Sequence, residues 1–381
     1  MNKNKSFSQY LLISLFIVLF FALSLSFIII PDSPFSEDEN RALSTAPEFS
    51  LQKLFFGNYT SDFSDYCSDQ FPFRSFFVNL KALGELALFK GENNGIIVAG
   101  DGNLITDPGI ANEELIKENL SHIEDFAKNS AVKVYTAFIP GGSYVLRETL
   151  PSTYPQGEIQ KHYRILSESI PENVVNIDLA PMLDLHSSEY IYYKTDHHQT
   201  ALGAYYTYCE VINALGKEPY SIDNFKRETV SQEFYGTTWS FAGIPFVKPD
   251  SLEFFRFDGD TEYTVEINGK ETKKGLYDFT ALETKDKYSA FVANTVNGYI
   301  KISSNENSET LIIFKDSFAH SIAPLLARHY NIIMIDTRYH MILRGSIDKL
   351  IEAENPSAVL FLMGAQGVFD NSGKLSALRN N

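Results

Sequence analysis

The first thirty residues carry one long apolar run. Nearly every position from Leu11 to Ile30 is apolar, and no charge falls between Ser6 and Pro31. Twenty helical residues rise about 1.5 Å each, roughly the 30 Å of a bilayer core. The run is apolar on every face, unlike an amphipathic helix on a soluble core. Lys3 and Lys5 precede it and an acidic flank, Asp32 to Glu39, follows. That asymmetry predicts a single-pass signal-anchor with residues 1–31 as cytoplasmic tip and span, and the rest of the chain extracytoplasmic. A cleaved signal peptide shares the basic tip, but its apolar region is shorter and ends at a small-residue site, which is not evident here.

Beyond the anchor the pattern changes. Residues 32–95 read as a linker and helical collar, irregular and punctuated by Pro and Asp. Within it Phe76, Phe77, Leu80, Leu83, Leu86 and Ala87 recur at three- and four-residue spacing and predict a helix over Phe76–Lys90. Two short apolar runs around Gly100-Asp101-Gly102 predict a hairpin over Val98–Ile105. Helices are then expected at Asn112–Asn129, Glu158–Ser169 and Ala201–Leu215, and strands at Val132–Ile139 and Val174–Leu179. A second helix-and-strand block spans 309–381: strands at Leu311–Phe314, Ile332–Ile335 and Ala358–Leu362, helices at Ala319–His329 and Ile347–Glu354. Strands alternating with helices predict an α/β fold with a mainly parallel sheet flanked by helices. Residues 218–308 differ. Alternation over Glu262–Ile267, broken by Asn268-Gly269, predicts a β-rich insertion of antiparallel strands between the α/β parts at 96–217 and 309–381.

Composition narrows the function classes. Acidic residues outnumber basic ones 48 to 32, a net charge of −16 over 381 residues, so the surface repels nucleic acid. Two cysteines, Cys67 and Cys209, leave room for one disulfide outside the cytoplasm but for no disulfide scaffold.

Two segments can carry chemistry. The first, Thr195-Asp196-His197-His198-Gln199-Thr200, lies just before a predicted helix. An Asp two residues from a His orients imidazole and stabilises its charged form, although the same Asp or Thr can simply cap the helix. In the second, Lys315-Asp316-Ser317-Phe318-Ala319-His320, a buried strand runs straight into a turn and a helix. A serine there is raised above a parallel sheet beside helix N-terminal amides that can hold an oxyanion. Here too the alternative is a cap. Together the two supply nucleophile, base and orienting carboxylate. A metal site on Asp196, His197, His198 and His320 is the rival chemistry, unsupported by any HExxH or i, i+4 histidine pair.

These segments resemble those of the DHHW family of exported bacterial proteins, which are similar to the SGNH-hydrolase-like alginate O-acetyltransferases. Further matches are Glu39-Asn40-Arg41 with Leu43 and Pro47, Asp69 to Arg74, Leu282 to Tyr288, and Ile335 to Tyr339. The resemblance implies an SGNH-hydrolase-like α/β domain in permuted order, with Asp and His ahead of Ser. It assigns the nucleophile to Ser317, the base to His198 and the orienting carboxylate to Asp196; Arg338 and Asn294 are weaker candidates for the substrate or oxyanion environment. The family's motif ends in Trp, whereas this chain has Gln199. An aromatic beside the base would pack on a sugar or hold the imidazole, so the departure bears on substrate and admits a silent member.

The expected function is a membrane-anchored extracytoplasmic serine O-acetyltransferase modifying a cell-surface or secreted polysaccharide, with no cofactor and no metal. Related systems imply a membrane-bound O-acyltransferase as partner. A carbohydrate esterase, a D-alanyl-transfer accessory and a silent polysaccharide-binding subunit remain alternatives.

Overall fold

The computed structural model describes residues 3–39, 41–293, 297–338 and 347–378. The chain divides into two compact units: the part up to Lys90 with Gly243–Pro245, and the remainder.

The first unit begins with α1 (Lys3–Ile29), whose stretch Phe7–Ile29 is long and apolar enough to cross a membrane. A two-residue ribbon follows, β1 (Phe35–Ser36) against β2 (Arg41–Ala42), then helices α2 (Leu51–Phe55), α3 (Asn58–Asp69) and α4 (Arg74–Ala87). The matched residues of this region fasten to one another. Arg41 pairs with Asp69 at 2.6 Å and with Glu39 at 2.8 Å, and Arg74 reaches Glu39 at 2.6 Å. The hydrogen bond from Arg41 holds the Asp69 carboxyl well below the usual carboxylate range.

The second unit opens with a small sheet, β3 (Glu92–Asn93), β4 (Ile96–Val98) and β5 (Leu104–Thr106), with β4 and β5 closing the expected hairpin around Gly100–Gly102. Helix α5 (Glu113–Asn129) starts where Asn112 caps it, its side chain accepting from the Leu115 amide at 3.2 Å. Then come β6 (Val134–Ile139), α6 (Gly142–Val145), α7 (Gly157–Ser169), β7 (Val175–Asn176), α8 (Ala180–Leu185) and α9 (Ala201–Ala214). The strand expected to reach Leu179 stops at Asn176, because Asp178 turns to accept the Ala180 amide and start α8.

Strands β8 (Lys226–Phe234) and β9 (Asp250–Arg256) form a separate hairpin, with α10 (Thr237–Ala242) in their connection. The antiparallel strands β10 (Thr264–Ile267), β11 (Glu271–Lys274) and β12 (Tyr299–Ser303) do not form a layer of their own. They extend the central sheet, β12 pairing with β14 (Asn331–Asp336). The turn between β10 and β11 has Asn268 and Gly269 at φ 51° and 66°, the left-handed pair that a tight hairpin requires. The eight strands run in the order β11-β10-β12-β14-β13-β15-β6-β7, with β13 at Thr310–Lys315 and β15 at Ala358–Gly364. From β14 to β7 the pairing is parallel.

Both faces of that parallel part are covered, which is why its strands read as unbroken apolar runs. Leu311 and Ile313 of β13 point to the core shared with α9 and α11 (Ala319–Leu326), while Ile312 and Phe314 point to the core under α5. Phe126 of α5 meets Phe314 and Phe361 edge-on at 5.3 and 5.7 Å. The carboxyl ends of β14, β13, β15 and β6 lie side by side, the edge where open α/β sheets hold their ligands. Cys67 and Cys209 are both free thiols.

Candidate active site

Three loops build the site. The first follows β13, where the chain passes from strand to α11 in three residues, Asp316-Ser317-Phe318. Asp316 clasps this elbow: its carboxylate accepts from the Phe318 amide at 2.9 Å and from the Gly364 amide, at the end of β15, at 2.8 Å. The capping task thus falls to Asp316 and leaves the Ser317 hydroxyl for other work. Burial pushes the Asp316 carboxyl up, against these two bonds.

The second loop carries Thr195 to His198. Asp196 Oδ1 accepts from the His198 amide at 2.9 Å and from His198 Nδ1 at 2.5 Å, and His198 Nε2 lies 2.7 Å from Ser317 Oγ. Burial favours the neutral Asp196 carboxyl, but the charges of His198 and His197, with the hydrogen bonds it accepts, hold it well below the usual carboxylate range. An ionised Asp196 can only accept, so Nδ1 carries a proton, and in the neutral ring Nε2 then offers a lone pair to the serine hydroxyl. The residues singled out at 196, 198 and 317 are therefore hydrogen-bonded in series although 119 positions separate histidine from serine.

The third loop, Tyr235 to Thr237, backs the carboxylate. The Thr237 amide donates to Asp196 Oδ2 at 2.7 Å, and a Cβ on Gly236 would fall 2.2 Å from that of Asp196. Only glycine permits so close an approach.

Several residues support the triad in ways that sequence reading does not show. Tyr288 stacks on the His198 ring at 3.9 Å and 8°, its hydroxyl donating to the Ser317 carbonyl at 3.2 Å. Phe318 meets the same ring edge-on at 5.0 Å. Asp250, at the start of β9, is buried and collects four donors: Tyr190 Oη at 2.5 Å, the Lys194 and Thr195 amides at 2.9 and 2.8 Å, and Thr195 Oγ1 at 2.5 Å. It pins the loop immediately before Asp196. Asp250→Asn turns an amide NH₂ toward two of those donors, and we expect it to cost about 1–3 kcal/mol in chemical denaturation and to lower turnover with little change in KM. An unshifted midpoint would remove Asp250 from this role. Tyr288 at least lies within the matched stretch Leu282–Tyr288; Asp250 has no such flag.

Beneath the elbow sits a buried charge network. Lys315 and Asp336 are both fully buried and 3.1 Å apart, and Lys315 Nζ donates to His320 Nε2 at 2.8 Å. Burial and the Lys315 charge push the His320 pKa well down, so the ring is neutral and can accept. Arg338 grips Asp336 through Nε at 2.8 Å and Nη2 at 2.6 Å. Its side chain remains a third exposed. Arg338 thus joins this network through Asp336. Asn294 lies outside the described residues.

Asp196, His197 and His198 do bring ligand atoms within 4.8 Å of one another. Both ring nitrogens of His198 are engaged by Asp196 and Ser317, however, and His320 is bound to Lys315 and the Phe291 carbonyl. His197 stands beside His198, ring on ring at 3.9 Å, and does not bond the serine.

The family profile described as DHHW protein matches residues 129–335, more than half of the chain. The chain belongs to the DHHW family. Among solved structures it is similar to a DHHW family protein from Eubacterium siraeum (23% identity over 76% of this chain and 96% of that one, TM-score 0.62). It is also similar to Bacillus cereus PatB1 (21% identity over 74% and 99%, TM-score 0.61), which has been solved with a sulfonyl adduct as well. These likenesses show a shared fold, a mixed α/β architecture around a large central sheet. No curated protein sequence is significantly similar.

In this DHHW protein the residue in place of the motif's Trp does not face the site. Gln199 is 1% exposed and its Oε1 accepts from Thr207 Oγ1 of α9 at 3.0 Å. The aromatic that steadies the base is Tyr288. Of the two tasks open to an aromatic at this position, packing on a sugar or holding the imidazole, Gln199 takes neither, because its side chain turns into the core against α9.

Proposed function

We propose that this protein is a membrane-anchored serine O-acyltransferase that works outside the cytoplasm on a cell-surface or secreted polysaccharide. The observation that carries the reading is one imidazole held between a buried carboxylate and a half-buried serine hydroxyl. Ser317 Oγ attacks the carbonyl of an acyl donor while His198 Nε2 takes its proton, and Asp196 stabilises the imidazolium. The tetrahedral oxyanion meets the amide of Ser317, which has no acceptor among the described residues, at the head of α11. His198 returns the proton to the leaving group, and an acyl-serine remains. A sugar hydroxyl, deprotonated by the same nitrogen, then takes the acyl group and frees the serine. Likeness to the alginate O-acetyltransferases supports acetyl as the group and a membrane-bound O-acyltransferase as its supplier. Water in place of the sugar makes the same machinery an esterase.

The purified chain should release acetate from a small activated acetyl ester, chelator should leave the rate unchanged, and a sulfonyl fluoride should label Ser317. A saccharide acceptor should divert acetyl from water to sugar, read by mass spectrometry. A folded wild type inert toward every activated ester would overturn the enzymatic reading in favour of a binding subunit. For the anchor, a reporter fused at the C-terminus should be active only outside the cytoplasm.

A further inference from the structure

The collar exposes aromatic side chains in two ordered stripes. On α3, Tyr59, Phe63 and Tyr66 recur at four- and three-residue spacing, each ring 6.1 Å from the next. The ladder starts on the apolar helix itself, where Phe27 meets Tyr66 at 5.7 Å, and ends on Phe49, 5.3 Å from Tyr59. Phe49 and Phe63 are 63% and 45% exposed. On α4, Phe76, Phe77 and Leu80 share one face, and all three are exposed, Phe76 to 61%. Soluble surfaces seldom leave such runs uncovered.

We propose that this collar lies in the headgroup layer of the membrane that α1 crosses, with the α3 ladder and the α4 stripe against lipid. The proposal rests on the anchor reading given above. Its geometric basis is the fastening of α3 to the end of α1. Phe27 is in the last turn of α1, which ends at Ile29. Just beyond it, Tyr66 donates to Asp32 Oδ1 at 3.1 Å, and Gln70 exchanges two hydrogen bonds with the Ser33 backbone at 3.0 and 2.9 Å. Each residue adds at most about 3.5 Å, so Asp32 and Ser33 are within the several-ångström headgroup zone beyond the hydrocarbon. Tyrosine and phenylalanine at that depth form the aromatic belt of a membrane interface, and a helix with one aromatic face lies flat in it. On α3 the opposite side is polar, with Ser61 a little over half a turn from the ladder.

Charge says which lipid. Between Asp32 and Lys90 there are nine acidic and five basic side chains. Anionic headgroups would be repelled, so the contact is made by apolar insertion into neutral phospholipid.

The test uses the full chain reconstituted in phosphatidylcholine vesicles containing brominated phosphatidylcholine, which quenches tryptophan in lipid. Phe63→Trp and Phe76→Trp are compared with the unsubstituted chain, whose one tryptophan is Trp239. Both added tryptophans should emit to the blue and lose most of their intensity to bromine, whereas Ser61→Trp should not. Added phosphatidylglycerol should not deepen the quenching. Unquenched emission at both positions, equal quenching at Ser61, or crosslinking from position 76 to a second copy or another membrane protein would overturn the proposal. Alkaline carbonate extraction of the same vesicles separates the two readings. A chain that stays in the pellet with unquenched tryptophans defeats the collar proposal alone; a chain released to the supernatant defeats the anchor and this proposal with it.

Discussion

Replacing Ser317 by alanine is expected to lower ester turnover by about 10³-fold or more, with the fold intact. The hydroxyl is half-buried and bonded to a single side chain, His198 Nε2 at 2.7 Å, so its loss removes the nucleophile and little packing. His198→Ala should cost about as much, and the double variant no more than either single one, because members of one nucleophilic unit fail together. Asp196→Ala should retain more activity, since the carboxylate orients the ring and stabilises its charge without touching substrate. Tyr288 and Phe318 would still hold the imidazole between them. Initial rates on an activated acetyl ester across the four variants decide the matter. Wild-type rates in Ser317→Ala, or full additivity in the double variant, would sink the serine mechanism.

The second large effect is on stability. Asp336→Ala is expected to cost about 3–5 kcal/mol, because it strands a buried ammonium without its counter-charge. Lys315 is 0% exposed, Asp336 lies 3.1 Å from its ammonium, and the neutral His320 ring beside it brings no charge. The double variant Lys315→Met with Asp336→Leu should recover much of the loss, since two desolvated charges then disappear together and Arg338 can turn to water. Denaturant midpoints for the two singles and the double complete the cycle. A single variant within about 1 kcal/mol of wild type would mean that the ammonium loses its proton or finds water instead.

The α/β scaffold was legible because its strands and helices announce themselves locally. Leu311 to Phe314 and Ala358 to Leu362 are too apolar for anything but a strand covered on both faces, and Asn112 marks its helix start with a cap. The pairing of Asp196, His198 and Ser317 was legible from residue type and from the position of the serine at a strand end. What stayed hidden depends on contacts distant in sequence. No periodicity tells that β12 joins β14, so the antiparallel strands read as an insertion beside the sheet when they are part of it. No local pattern tells that Tyr288 covers the base, that Asp250 pins its loop, or that Gln199 faces α9. The clasp of Arg41 with Asp69 and Arg74 with Glu39 was visible only as matched stretches, and its purpose needed the fold.

The sheet order also governs when the protein can become active. Within the sheet, β15 alone joins the half that raises Ser317 to the half that leads through β6 and β7 toward His198. Yet β15 begins only at Ala358, well after Asp196, His198 and Ser317. A nascent or prematurely terminated polypeptide ending before that strand would contain base, carboxylate and nucleophile but lack the seam that brings them together. Fragments that stop before Ala358 should therefore be inert, and the activity should appear only once β15 has been made.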